Sequence, residues 1–351
     1  MRASGVPQTM ISRWMLAVLV ASSAASAWAQ SLPSWNDGPA KQAIVEFVKA
    51  TTTEASDAFV PAEERIAVFD QDGTLWVEQP IYAQVMYVLS RVPDVVKAKP
   101  ALAKQEPFKT VMSGDKAKIA KLGMPDLEKL LAATLTGMPV EEFQAQVQAW
   151  LDSATNERWQ KPYDQLTYAP MLELLDYLRA NSFQTWIVTG GGQDFVRVYA
   201  EQTYGVPPEQ VVGTMGATKF GYDANGKPQL TKEPKLILND DKGGKPEGIH
   251  MMIGRRPVAA FGNSNGDKEM LEYTKSGGAT RLAMIVLHDD KEREYAYGPA
   301  KGLPNSKVGT FPQALYDQAQ RQGWVVISMK NDWKRIFAFE SETEGQAATT
   351  E

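Results

Sequence analysis

Five short runs of β-branched and aromatic residues set the limits on what this chain can fold into. They are Ile66-Ala67-Val68-Phe69, Thr185-Trp186-Ile187-Val188, Val258-Ala259-Ala260-Phe261, Leu282 to Leu287 and Trp324 to Ser328. Each is short and almost wholly apolar, the pattern of a strand buried on both faces. Helical patterning lies between them: Met171, Leu172, Leu174, Leu175 and Leu178 share one stripe, and Phe195, Val196 and Tyr199 share another. Strands alternating with helices predict an α/β fold, a parallel sheet with helices on both faces. In such sheets ligands gather at the C-terminal ends of the strands, so the residues directly after each run carry the functional weight.

More than a hundred residues separate the first run from the second, far beyond an ordinary crossover. Within them Ile81, Val85, Met86 and Leu89 share a helical face. So do Leu127, Leu130, Leu131 and Leu135, and so do Val140, Phe143, Val147, Trp150 and Leu151. The sequence therefore predicts a core of residues 30–78 and 165–339, interrupted by a mainly helical subdomain over 79–164 standing above the strand ends. Thr214 to Ile237, with the turn signal Asp223-Ala224-Asn225-Gly226, predicts a hairpin. The polar tail 340–351 is expected to be disordered.

Residues 1–29 read as a cleavable export signal. Arg2 and Arg13 precede the apolar stretch Met15 to Ala21, and Ala27-Trp28-Ala29 offers small residues at the two positions a signal peptidase reads. Cleavage after Ala29 predicts a periplasmic or secreted protein. The apolar stretch is shorter than the roughly 20 residues that span a bilayer, so no stable membrane insertion is expected after cleavage.

Composition removes several function classes. With 37 Lys+Arg against 42 Asp+Glu the net charge is −5, so no global positive field exists to hold a nucleic acid. The absence of cysteine rules out disulfides, thiolate metal sites and a cysteine nucleophile. Only His250 and His288 are present, which leaves little room for a histidine-based zinc site, and both are expected to be structural or exposed.

The first run ends in Asp70-Gln71-Asp72-Gly73-Thr74, two carboxylates one residue apart in a strand-end loop. Further along come Ile187-Val188-Thr189-Gly190-Gly191, Lys245 in Gly244-Lys245-Pro246, and Gly262-Asn263-Ser264-Asn265-Gly266-Asp267. These four elements, in this order, resemble the motifs of the haloacid dehalogenase (HAD) superfamily. The inserted helices resemble the cap of its phosphoserine-phosphatase-like branch. The resemblance implies a Rossmann-like α/β core with a helical cap and the hydrolysis of small phosphate monoesters.

The residues suit that chemistry. Phosphoryl transfer needs an in-line nucleophile, neutralised oxygens and a proton for the leaving group. Asp70 can attack phosphorus to give an aspartyl-phosphate, and Asp72 can act as general acid and then base. Two carboxylates facing an anionic ester call for a hard cation, so Mg²⁺ is the expected cofactor, held by Asp70, the Asp72 carbonyl, Asn263 and Asp267. Thr189, Gly190, Gly73 and Lys245 are expected to hold the phosphoryl oxygens. Lys235 and Lys242 compete with Lys245 for the role of fixed charge.

Asn263 departs from the family pattern, which often has Asp there; one negative charge is missing, and weaker Mg²⁺ binding is the expectation. Glu78 and Trp76 follow the first motif closely enough to border the substrate, where Glu78 would meet a cationic group. A solvent-facing Glu78 is the plainer alternative. The run Asp289-Asp290-Lys291-Glu292-Arg293-Glu294 reads as a solvated face. A phosphotransferase, or a non-catalytic exported binder of phosphorylated ligands, are the competing functions.

Overall fold

The computed structural model describes residues 32–340 apart from Ala279. The predicted export signal and nearly all of the polar tail lie outside the described residues.

A seven-stranded sheet organises the chain: β1 (Ile66–Phe69), β2 (Gln184–Gly192), β3 (Val211–Tyr222), β4 (Pro228–Leu238), β5 (Ala259–Gly262), β6 (Leu282–Leu287) and β7 (Val325–Ser328). Its spatial order is β4-β3-β2-β1-β5-β6-β7. Every pairing is parallel except β3 with β4, which is antiparallel. The β3–β4 pair is the predicted hairpin. The Asp223 carboxylate accepts from the amides of Asn225 and Lys227 at 2.8 and 2.9 Å, and Gly226 takes φ 78°, the left-handed conformation the turn requires.

The apolar strands are buried because both sheet faces are covered. Alternate residues feed two cores: Ala67, Phe69, Ile187 and Phe261 on one side, Ile66, Val68, Val188 and Ala260 on the other. The first face packs on α1 (Pro39–Thr52) and, further along the chain, on a helix over Ala169–Ala180 through Met171, Leu174, Leu175 and Leu178. On the second face lie Met270 and Leu271 from the helix Lys268–Lys275, and Leu315 and Ala319 from the helix Gln313–Arg321.

The register sets the site. Phe69 pairs with Ile187 on one side and Phe261 on the other, and the two phenyl rings stack at 4.4 Å. The C-terminal ends of β1, β2 and β5 therefore lie side by side. Since β1 connects towards β2 while β5 continues on its opposite flank, Asp70 occupies the point where strand order reverses.

Between β1 and β2 the chain forms α2 (Ala83–Ala98), α3 (Met124–Leu135) and α4 (Val140–Leu151), with shorter helical turns between α2 and α3. The buried residues of α2 are Ala83, Val85, Tyr87, Val88, Val92 and Val96; of the expected stripe Val85 is among them and Met86 and Leu89 pack against the same core, while Ile81 precedes the helix. Tyr87 joins these helices to the sheet, with ring centroids 6.1 Å from Phe143, 5.7 Å from Trp150 and 5.5 Å from Phe195. The hairpin reaches the same region: Gly137 N donates to Lys232 O, Lys232 N donates to Met138 O, and the Lys232 ammonium pairs with Asp194.

Candidate active site

Asp70 follows β1 directly, and its amide donates to Phe261 O at 2.9 Å, which ties the start of the loop to β5. The Lys245 ammonium donates to Asp70 Oδ1 at 2.6 Å, to Asp267 Oδ1 at 2.7 Å and to Val188 O at 2.8 Å. Lys245 is 2% exposed, so all three protons of its ammonium are used away from solvent. Lys235 and Lys242 are exposed, which leaves Lys245 as the lysine of this site. Burial opposes its charge, but Asp267 and Asp70 outweigh that and hold it above the usual lysine value. Burial and the Asp267 carboxylate push Asp70 up, and Lys245 pulls it back.

Asp72 is half-buried in the same loop, where its Oδ1 accepts from Trp76 Nε1 at 2.7 Å. Burial raises its carboxyl to about 6, against the opposing effects of the indole bond and Lys245. The Trp76 ring is buried and stacks on Tyr199 at 4.9 Å. Its predicted place at the substrate gives way to a different one: the ring is committed to packing and its N–H to holding Asp72.

Gly73 brings the first and fourth motifs together. Its φ is 76°, and a Cβ there would overlap Asn263 Nδ2 and the Glu78 carboxylate. Glu78 is 2% exposed, which removes the solvent-facing alternative. Its Oε1 accepts from Asn263 Nδ2 at 2.6 Å and from the Tyr297 hydroxyl at 2.8 Å. Burial, with the negative charges of Asp72 and Asp70, raises Glu78 well above the usual carboxylate value despite its hydrogen bonds.

Thr189 is buried at the end of β2 with Oγ1 accepting from Gly191 N at 3.0 Å, whereas Gly190 beside it is exposed. The four motifs thus meet at the C-terminal end of the sheet, with Asp70, Asp72, Gly73 and Asn263 in its loops and Lys245 reaching in from the short helix Gly244–Gly248.

Asp267 is held by the lysine and by its own loop. Oδ1 takes Lys245, and Oδ2 accepts from the amides of Asn263 and Ser264 at 2.9 and 3.0 Å. Those bonds make Asp267 the brace of the lysine and the loop, while Oδ1, with a single partner, keeps a lone pair for a cation. Among the described residues no group of three or more His, Asp or Glu converges as a metal cluster, so a cation here must use mixed oxygen donors. Asn263 fits: it is 1% exposed and its Oδ1 is buried without a hydrogen-bond partner. Asp70 fits as well, since its Oδ2 has only a 3.3 Å contact from Thr74 Oγ1.

His288 follows β6 directly and is buried beneath the first-motif loop. The Gly73 carbonyl can only accept, so the 2.8 Å contact puts a proton on His288 Nε2. Nδ1 lies 3.2 Å from Glu294 Oε2, and the ring stacks on Tyr297 at 4.3 Å. The expected solvated run 289–294 is therefore partly interior: Glu294 is fully buried against His288, and Asp290 Oδ2 accepts from Arg293 Nε at 2.6 Å. The strand-end rule points to His288; nothing in the sequence points to Tyr297 or Glu294.

The model of the haloacid dehalogenase-like hydrolases matches residues 67–272, more than half of the chain. The chain belongs to the haloacid dehalogenase-like hydrolase family. The matched segment begins in β1 and ends within the helix after the fourth motif, so it includes all four motif loops. Comparison with curated proteins finds no match. Among solved structures the chain is similar to a functionally unknown protein from Anaerococcus prevotii, with 17% identity and a TM-score of 0.48, covering 72% of this chain and 86% of that one. A Bordetella pertussis protein of unknown function shares 17% identity, with a TM-score of 0.44 and coverage of 75% and 98%. A probable phosphoserine phosphatase from Vibrio cholerae shares 12%, with a TM-score of 0.34 and coverage of 67% and 60%.

Proposed function

We propose that this hydrolase is an exported, Mg²⁺-dependent phosphatase of small phosphate monoesters that works through an aspartyl-phosphate on Asp70. The observation that carries the reading is the buried ion triad of Lys245 with Asp70 and Asp267, set beside Asp72, whose carboxyl titrates at about 6.

Asp70 attacks phosphorus; the new Asp70–phosphorus bond forms as the ester bond breaks. Protonated Asp72 delivers its proton to the leaving alkoxide. Water then attacks the phospho-enzyme, Asp72 takes its proton, and inorganic phosphate leaves with Asp70 restored. Lys245 favours the ionised form of Asp70, orients it and faces the phosphoryl charge, while Thr189, Gly190 and Gly73 border the oxygens. Mg²⁺, which Asp70, the Asp72 carbonyl and Asn263 would hold, supplies charge neutralisation between carboxylate and ester when bound. The helices between β1 and β2 serve as the cap that selects the alcohol. Export rests on the pattern of residues 1–29.

Asp72 disfavours a pure binder, since a second carboxylate beside a bound phosphate weakens binding and aids only turnover. A phosphotransferase would use the same first step with an alcohol in place of water. Phosphate release from a panel of monoesters, with and without added alcohols, tests the reading: release to water supports hydrolysis, and product appearing only as a new ester assigns transfer. Cell fractionation with N-terminal sequencing tests export, with Gln30 as the expected first residue.

A further inference from the structure

The amide of Asn263 has two ends, and the structure commits only one. Nδ2 donates to Glu78 Oε1 at 2.6 Å, whereas Oδ1 is buried without a hydrogen-bond partner. A buried amide oxygen without a partner is costly unless something takes its lone pairs. The same Glu78 oxygen also accepts from Tyr297 at 2.8 Å, and a Cβ at Gly309 would overlap it. Glu78 is thus pinned by a hydroxyl, an amide and a glycine that leaves it room.

We propose that Glu78 is a positioning residue for the cation: it fixes Asn263 with its oxygen as the ligand and supplies, one bond further out, the negative charge that an aspartate at 263 would carry. The inference rests on the Mg²⁺ reading above. Its physical content is twofold. A carboxylate that accepts from Nδ2 holds the amide in one of its two orientations and makes Oδ1 a stronger donor, as hydrogen-bonded partners do for other metal ligands. A cation on Oδ1 also favours the ionised form of Glu78, which burial alone resists, and the Asn263–Glu78 pair then carries one negative charge, the same total as when the acid and the amide exchange places. The role differs from contact with a cationic substrate, which would leave metal affinity untouched.

The test is Mg²⁺ titration by calorimetry on the full chain, with no substrate present, across Glu78→Gln, Asn263→Asp and the double variant. Glu78→Gln keeps an acceptor for Asn263 and loses only the charge; Mg²⁺ affinity is expected to fall by about 10–100-fold. In the double variant the charge sits on position 263 and the amide introduced at position 78 donates to it, so affinity returns to the wild-type range. Thermal melts of all four proteins confirm folding, and the recovery in the double variant separates a charge effect from damage to the core. Unchanged Mg²⁺ affinity in Glu78→Gln, with wild type binding normally, overturns the role of Glu78 alone. A wild-type protein that binds no Mg²⁺ overturns this inference together with the cation reading.

Discussion

Lys245 bridges Asp70 and Asp267, its ammonium 2.6 Å from one carboxylate and 2.7 Å from the other, with all three groups largely withdrawn from water. One cation between two buried anions is stable only as a set, because removing it leaves two uncompensated carboxylates. Lys245→Met is therefore expected to cost about 3–5 kcal/mol of stability by urea unfolding. It is also expected to lower kcat/KM by roughly 10²–10³ through loss of charge at the phosphoryl group. A variant with wild-type unfolding would mean that the triad is not a structural unit.

Asp72 titrates at about 6, and its two tasks have opposite pH demands. Proton delivery needs the acid, so that step slows as pH rises through about 6; proton removal from water needs the base, so that step slows as pH falls through it. An alkyl phosphate depends on the first task, whereas a nitrophenyl ester has a leaving group that scarcely needs the proton. Alkyl ester hydrolysis is expected to fall above about pH 6 relative to nitrophenyl ester hydrolysis, a ratio that cancels ionisation common to both substrates. Asp72→Asn should lose about 10²–10⁴ in rate on the alkyl ester and abolish the pH dependence of that ratio.

Asp240 is fully buried, with the Thr189 backbone amide facing its carboxylate. Burial raises its carboxyl to about 7, although Lys245 pulls it down. A carboxyl raised on folding binds its proton more tightly in the native state. It favours folding below the unfolded value of about 4, and that contribution is lost as pH rises towards about 7. Asp240→Asn is expected to stabilise the protein at about pH 8 by roughly 1–3 kcal/mol relative to its effect at about pH 4. Equal effects at both pH values, read from thermal melts, would show that Asp240 does not titrate in this window.

Gly309 has φ 62°, and a Cβ there would overlap the Glu78 carboxylate and approach the Tyr297 ring. Gly309→Ala combines a left-handed backbone with that overlap and is expected to cost at least about 1 kcal/mol of stability. It should also weaken Mg²⁺ binding by displacing Glu78. Mg²⁺ affinity that survives the substitution would show that Glu78 can move without consequence for the metal.

Sequence reading reached the parts of this molecule that local pattern determines. Apolar runs such as Ile66-Ala67-Val68-Phe69 are legible because burial on both faces leaves no polar alternation. Asp70 and Asn263 are legible because each follows such a run. The hairpin is legible because Asp223 and Gly226 have side-chain and backbone requirements that only a turn meets. What escaped is set by distance along the chain. Glu78 finds its partners 185 and 219 residues away, and neither spacing nor polarity marks that pairing. The run 289–294 reads as solvated because charge suggests exposure; a buried histidine at the end of β6 draws Glu294 inward instead. The motif marks Asp267 but not its ion pair, because the lysine it holds lies 22 residues earlier. Trp76 illustrates the same limit, its indole buried against Tyr199 and bonded to Asp72.

The central claim is that Asp70 becomes phosphorylated during turnover. Incubating the full chain and its Asp70→Asn variant with a ³²P-labelled monoester and Mg²⁺, then quenching in acid, measures it directly. The account predicts label on the wild-type protein that hydroxylamine releases, none on Asp70→Asn, and none on wild type in EDTA. Phosphate release by Asp70→Asn at the wild-type rate, or turnover with no label on the protein under rapid quench, would contradict it.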